Sequence, residues 1–239
     1  MEYVIETNNL TKIYNNKIKA VENLNLRVRA GEIYGFLGPN GAGKTTTLKM
    51  LLGLIKPTSG SARILGKVPG TPDSLSLLGS LVESPAFYPY LSGRDNLRVI
   101  ADYSGAPRSR IDEVLDIVGL KDRANDKFKG YSLGMKQRLG VAATLLKDPQ
   151  ILILDEPTNG LDPKGMAEMR ELIRNLGQGN RTVLLSSHLL NEVEQICDRV
   201  GVIQQGRLIA EGTISELKGS GALLVRATPS DLALSMLRS

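Results

Sequence analysis

Three groups of residues in this chain have the types and spacing for phosphate chemistry. The first is the stretch GPNGAGKT, made of Gly38, Pro39, Asn40, Gly41, Ala42, Gly43, Lys44 and Thr45, with Thr46 directly after it. It fits the pattern G-x-x-x-x-G-K-[ST] at every fixed position. Glycines let backbone N–H groups wrap an anion without side chains in the way, and a helix opening directly after them adds partial positive charge. In such a loop a lysine, here Lys44, reaches the β- and γ-phosphates of a nucleotide, and a hydroxyl, here that of Thr45, ligates Mg2+. The second group closes the run ILILDE, where Asp155 emerges from an apolar strand. An aspartate at the carboxyl end of a central strand is placed to hold the metal. Glu156 is adjacent and points elsewhere: it is either a structural acid or the general base that orients an attacking water. The third is His188, the only histidine, just past the run TVLLSS. It is either a packing residue or a γ-phosphate sensor whose neutral ring donates one hydrogen bond.

The elements needed to position these groups are legible around them. EIYGFL reads as a buried strand leading into the glycine loop, and TTTLKMLLGLI as a helix stopped by Lys56-Pro57. LLGSLV, ILILD and TVLLSS are further apolar strands, while NLNLRVR alternates with the period of a half-buried strand. In PKGMAEMRELIRNL, Asp162 is placed to cap a helix and Pro163 sits at its first position. Strands alternating with helices predict an α/β fold with a mostly parallel sheet. Residues from about 84 to 150 break the alternation with helical signals alone, SRIDEVLDIVGL and MKQRLGVAATLLK, and read as a helical insert.

Bulk properties limit the class. A chain of 239 residues with 41% apolar and 23% charged content fits one large globular domain. No apolar run approaches the ~18 residues of a bilayer span, and MEYVIETNNL is no secretory signal, so a cytosolic protein is expected. Cys197 is the single cysteine, which excludes an internal disulfide. Of the net charge of +5, six Lys/Arg against two Asp between Gly119 and Arg138 contribute +4. That segment is a solvated face, a phosphate-binding surface or a nucleic-acid contact. It lacks the aromatic interleaving of single-strand binders.

LVESPAFYPYLSG concentrates Phe87, Tyr88 and Tyr90 beside two prolines, just after Glu83. The aromatics are either an internal staple for the insert or a rigid docking patch.

These motifs in this order resemble the ATP-binding cassette ATPases, the motor subunits of membrane transporters, over about nine-tenths of the chain. YSLGMKQR, Tyr131 to Arg138, stands where that family carries its signature. The resemblance implies a P-loop NTPase core with a mostly parallel sheet, an N-terminal antiparallel β portion and an inserted helical subdomain, spanning residues 1–218. It implies ATP and Mg2+ as ligands, and a homodimer or heterodimer of nucleotide-binding subunits. Each ATP would lie between one P-loop and the partner's signature: Ser132, Leu133, Gly134 and Met135, with Ser132 and Gly134 in contact. Leu133 and Met135 depart from the commoner glycine and glutamine. His188 matches the family's histidine switch, Asp162 its inter-subunit loop, and Tyr14 the aromatic on which adenine stacks.

Glu83 matches the position where the family usually has a glutamine sensing metal and water. A carboxylate there is expected to approach through Mg2+ or its water shell. Phe87, Tyr88 and Tyr90 then match the surface that receives helices of separate transmembrane permease subunits, which puts the protein at the cytoplasmic face of the membrane, peripheral. ESPAFYPYLSGRDNL and YSLGMKQRL look like the ATPases of bacitracin- and lantibiotic-type peptide antibiotic exporters. Drug exporters of other cargo are the near alternative. A cassette ATPase of DNA repair or the ribosome is the other, and no nucleic acid is expected. Thr213 and Glu216 form a capping-box pattern. Residues 219–239, with ALLVRAT as a strand and PSDLALSMLRS as a helix start, read as a tail, the beginning of a truncated accessory domain.

Overall fold

The computed structural model describes residues 3–15, 17–83, 85–179 and 181–218. The expected strand and helix of the tail, like the tail itself, lie outside them. Two sheets form the frame. An antiparallel sheet joins β1 (Tyr3–Tyr14) to β2 (Ile18–Leu24), β3 (Arg27–Arg29) and β5 (Ser59–Ile64). The second sheet has six strands in the order β10 (Arg207–Thr213), β9 (Arg199–Gln204), β4 (Ile33–Leu37), β8 (Thr182–Ser187), β7 (Ile151–Asp155) and β6 (Leu78–Leu81). All its pairings are parallel except that of β10 with β9.

The central strands are buried on both faces, and their period-2 alternation sorts side chains into two cores. Ile151, Ile153, Leu184, Tyr34 and Phe36 face the antiparallel sheet and α1 (Lys44–Leu51). Leu152, Leu154, Val183 and Leu185 face the helices on the other side. The connections are α2 (Pro72–Leu75), α3 (Gly93–Ser104), α4 (Arg110–Ile117), α5 (Leu133–Leu145), α6 (Pro163–Gln178), α7 (Leu190–Ile196) and α8 (Ile214–Lys218). Of these, α3 to α5 occupy the segment after β6, where the described residues form helices and no strand.

Caps explain several starts. The Asp162 carboxylate accepts from Gly165 N at 3.0 Å to open α6, and Ser92 accepts from Asp95 N at 3.0 Å to open α3. Thr213 and Glu216 form the expected reciprocal box: Thr213 N donates to Glu216 Oε2 at 2.7 Å, and Glu216 N donates to Thr213 Oγ1 at 3.2 Å.

Two expectations are corrected. NLNLRVR is not one strand, because Asn23 has φ of 50° and the ladder breaks between Leu24 and Arg27. Its burial alternation survives, with Leu24, Leu26 and Val28 all inaccessible. The helix after the glycine loop ends at Leu51, before Lys56-Pro57, because Gly53 turns the chain at φ of 71°. A Cβ there would lie 2.3 Å from Gly70 Cα, so the turn packs backbone on backbone. Strands β9 and β10 form a hairpin whose Gln205-Gly206 turn has φ of 49° and 78°, as a two-residue primed turn requires.

Candidate functional site

Strand register brings the chemistry-bearing residues to one edge. Leu37, the last residue of β4, pairs with Ser187, and Asp155 pairs with Ser186. The glycine loop, Asp155, Glu156 and His188 therefore leave three adjacent parallel strands at the same level, the carboxyl ends where α/β sheets bind ligands.

The glycine loop is shaped by its own packing. A Cβ on Gly38 or Gly43 would lie 2.3 Å from the carbonyl oxygen of Ile203 or Ala20. At Gly41, φ is 79° and a Cβ would meet nothing within 4 Å, so torsion rather than crowding selects glycine there. Ala42 N donates back to Pro39 O at 3.1 Å and closes the loop on itself. Thr46 follows in the first turn of α1, whose N–H groups have no acceptor within the helix. Lys44 is buried, and its Nζ donates to Gly38 O at 2.7 Å and Pro39 O at 3.2 Å.

Thr45 Oγ1 donates to Asp155 Oδ2 at 2.7 Å. A hydroxyl and a carboxylate are hard oxygen donors suited to Mg2+, which takes one or two protein ligands and completes its shell with phosphate and water. No cluster of three or more His, Cys, Asp or Glu suited to a metal exists among the described residues. Two protein oxygens beside a phosphate cradle are thus a donor set that fits this ion and does not form a metal cage.

Glu156 sits at the centre of the polar cluster. Its Oε1 lies 3.1 Å from Lys44 Nζ and its Oε2 2.6 Å from His188 Nδ1. Its φ of 47° is left-handed, which a side chain tolerates only where the surroundings hold it. One such hold is the bond from Glu156 N to Ser186 Oγ at 3.0 Å, and the same hydroxyl donates to Asp155 Oδ1. Because a carboxylate only accepts, the contact with His188 places the proton on Nδ1 and leaves Nε2 of a neutral ring as an acceptor. The expected donation from a neutral His188 to a phosphate is therefore incompatible with this rotamer. It requires the imidazolium or release of Glu156.

Glu83 is placed differently from expectation. Its carboxylate pairs with Lys49 Nζ at 2.6 Å, and no bond joins it to Thr45 or Asp155. Lys49 lies one turn after Thr45 on α1. Their hydrogen bond holds the Glu83 carboxyl below its usual range and raises Lys49, to which Tyr14 and Asp155 add a smaller effect. Glu83 also has φ of 69°. Tyr14 ends β1 half-exposed, with Lys12 Nζ 5.2 Å from its ring centroid.

The signature and the Asp162 loop share one surface. Ser132 caps α5 by accepting from Met135 N at 3.2 Å, and a cleft of about 450 Å³ runs between Ser132, Gly134, Leu161 and Asp162. Leu133 is exposed there, whereas Met135 is partly buried, packing against the helical core while also lining the cleft. Half of the six basic residues between Gly119 and Arg138 are paired, while Lys127, Lys129 and Lys136 have no ion-pair partner among the described residues. Lys121 pairs with Asp116, Arg123 with Asp126 and Arg138 with Glu168.

The aromatic stretch divides. Phe87 packs against the helical core, edge-on to Phe128 at 5.1 Å, as the staple reading expects, and also lines an open cleft beside Pro85, Ile100 and Ala143. Tyr88 and Tyr90 stay exposed, 5.8 Å apart. Buried Asn96 clamps the Tyr88 backbone on both sides, accepting from its N at 2.8 Å and donating to its O at 3.1 Å. Residues missed in the sequence are Ser186, Lys49, Thr158 and Glu192. Only the Ser-Ser step closing an apolar strand pointed to the first of these.

The chain is similar to known proteins in sequence and in fold. A family model described as ABC transporter matches residues 21–159, more than half of the chain. A bacitracin transport ATP-binding protein of Bacillus licheniformis is 51% identical over 91% of this chain and 72% of its own length. A lantibiotic transport ATP-binding protein of Streptococcus pyogenes is 43% identical over 87% of this chain and 90% of its own. Among solved structures, cbiO1 of Clostridium perfringens, part of the ABC transporter complex cbiONQ, superposes with a TM-score of 0.83 at 27% identity. The superposition covers 92% of both chains. The dimeric post-hydrolysis state of the ATP-binding cassette MJ0796, bound to ADP and Pi, does so with a TM-score of 0.77 at 28% identity, over 88% of this chain and 99% of that one. The chain belongs to the ABC transporter family, as one of its ATP-binding subunits.

Proposed function

We propose that this chain binds and hydrolyses ATP in a dimer of nucleotide-binding subunits and so drives export of a peptide antibiotic through separate membrane-spanning subunits. The observation that carries the hydrolytic part is Glu156, held between Lys44 and His188 beside the Thr45–Asp155 pair. In this state both oxygens of the base are occupied. The phosphates of ATP compete for the same two donors, so their arrival draws Lys44 and His188 off Glu156 and frees its carboxylate. Glu156 then orients a water toward the γ-phosphorus and takes its proton, as the bond to ADP breaks. Thr45 and Asp155 would hold Mg2+, which when bound would supply charge neutralisation on the phosphate oxygens. Tyr14 offers a face for adenine. Ser132 and Gly134, with the start of α5, form the surface that closes over the partner's nucleotide, and Asp162 borders the same cleft.

Among the described residues no helix is long and apolar enough to cross a membrane. We place the subunit on the cytoplasmic face, with Tyr88 and Tyr90 toward the permease. The peptide cargo is supported by the bacitracin and lantibiotic transport relatives. Glu156→Gln separates binding from chemistry: ATP affinity should stay within about threefold of wild type while turnover falls at least a hundredfold, in line with loss of a positioned base. Turnover near the wild-type level would refute the assignment. Resistance to bacitracin or a lantibiotic, conferred by the chain with its permease and lost with Glu156→Gln, tests the cargo.

A further inference from the structure

We infer that Glu192 is a positioning residue that sets the Glu156–His188 pair; this rests on the hydrolytic reading above. Glu192 lies on α7, four residues after His188, and is 3% exposed. Its Oε2 accepts from two hydroxyls, Thr158 Oγ1 at 2.6 Å and Ser187 Oγ at 3.1 Å. Its Oε1 is buried without a hydrogen-bond partner. A carboxyl group taken out of water with one oxygen unsatisfied costs stability that an apolar residue would not, so its place needs a reason beyond packing.

The reason is where its two partners stand. Thr158 is two residues after Glu156, and Ser187 is the residue before His188. The ladder between β7 and β8 ends at the pair Asp155–Ser186. Past that point, strand pairing no longer fixes the general base relative to the histidine. The Glu192 carboxyl carries the registry beyond the ladder, joining the turn that bears Glu156 to the strand end that bears His188 from their buried side. Ser187 extends the link to the phosphate loop, since its carbonyl accepts from Gly38 N at 3.1 Å. One group thus ties together the three loops that must move in step when nucleotide enters. Displacement of a base by about 1 Å costs on the order of a hundredfold in rate, so the tie acts on turnover more than on binding.

The test uses the full chain with Thr158→Val, Glu192→Ala and Glu192→Gln. Valine keeps the shape of threonine and removes only the donor; glutamine keeps an oxygen that accepts from both hydroxyls. Because the chain has one histidine, the Cε1–H resonance of His188 is identified without ambiguity and reports the pair without any turnover. Thr158→Val and Glu192→Ala should move that resonance toward its position in Glu156→Gln. They should also lower kcat about ten- to a hundredfold with KM within twofold. Glu192→Gln should keep the wild-type resonance and at least half of the turnover. The inference falls if Thr158→Val leaves both the resonance and kcat at wild-type values. It falls equally if Glu192→Gln behaves like Glu192→Ala. A wild-type chain that does not hydrolyse ATP would overturn the functional reading alone, and the resonance would still decide for or against Glu192.

Discussion

Replacing Phe87 by alanine separates a staple from a docking residue. The ring packs against the helical core and meets Phe128 edge-on at 5.1 Å, and Phe128 in turn lies 5.9 Å from the Tyr131 ring. Fully buried phenylalanines lose about 3–5 kcal/mol on truncation, and an edge-on aromatic pair accounts for about 1 kcal/mol of that. Phe87 is partly buried, so about 2–3 kcal/mol is the expected loss. For a chain of this length that is a fall in Tm of roughly 4–12 °C. Tyr88→Ala removes the side chain of a residue that is 49% exposed and whose ring lies 5.8 Å from that of Tyr90, while the Asn96 bonds to its backbone persist. Its expected loss is under about 1 kcal/mol. Thermal unfolding of the two single variants, followed by circular dichroism, measures the difference directly. In the assembled transporter the order should reverse: Tyr88→Ala with Tyr90→Ala should uncouple transport while the isolated chain keeps its ATPase. A Phe87→Ala variant melting within a degree of wild type, or melting above Tyr88→Ala, would refute the assignment of the two rings.

Gly38→Ala should abolish tight nucleotide binding and lower stability, because its methyl would sit 2.3 Å from the Ile203 carbonyl; Gly41→Ala, with open space around it, should cost only about 1 kcal/mol of backbone strain, and calorimetric titration with ATP distinguishes them. Cys197 is buried and its thiol pushed well above the ordinary range by that burial, so a thiol reagent at pH 8 should leave it unmodified in the native chain and react fully in denaturant. Glu83→Gln frees Lys49, whose field then acts alone beside Thr45 and Asp155; the Mg2+ concentration needed for half-maximal turnover should rise, and an unchanged value would remove Glu83 from the metal's surroundings.

Much of the site was readable because its parts are local. The glycine loop is a contiguous pattern, ILILDE announces a buried strand ending in acids, and Asp162-Pro163 is a helix start complete in two residues. The strand register that aligns Phe36, Ser186 and Asp155 joins three apolar runs of similar length. What escaped depends on distance or on torsion. Lys49 meets Glu83 across 34 positions, and Thr158 meets Glu192 across another 34, which no spacing rule connects. Asn23 takes a left-handed torsion just before the break between Leu24 and Arg27, and both are hidden inside an intact hydrophobic alternation. Phe87 and Tyr88 are neighbours of similar chemistry, and contacts distant in sequence, with Phe128 for the one and Asn96 for the backbone of the other, distinguish them. The β9–β10 hairpin has a local signal, since Gln205-Gly206 is a turn dipeptide between two strand-forming runs.

Everything proposed about coupling depends on two copies closing around nucleotide, each offering a phosphate loop to the signature cleft of the other. Size-exclusion chromatography with light scattering on Glu156→Gln, with and without ATP and Mg2+, measures this directly. An ATP-dependent doubling of mass to twice the 25.9 kDa chain, abolished by Ser132→Arg in the cleft, is the predicted result. A protein that binds ATP at saturation yet keeps the mass of one chain at every concentration tried would contradict it.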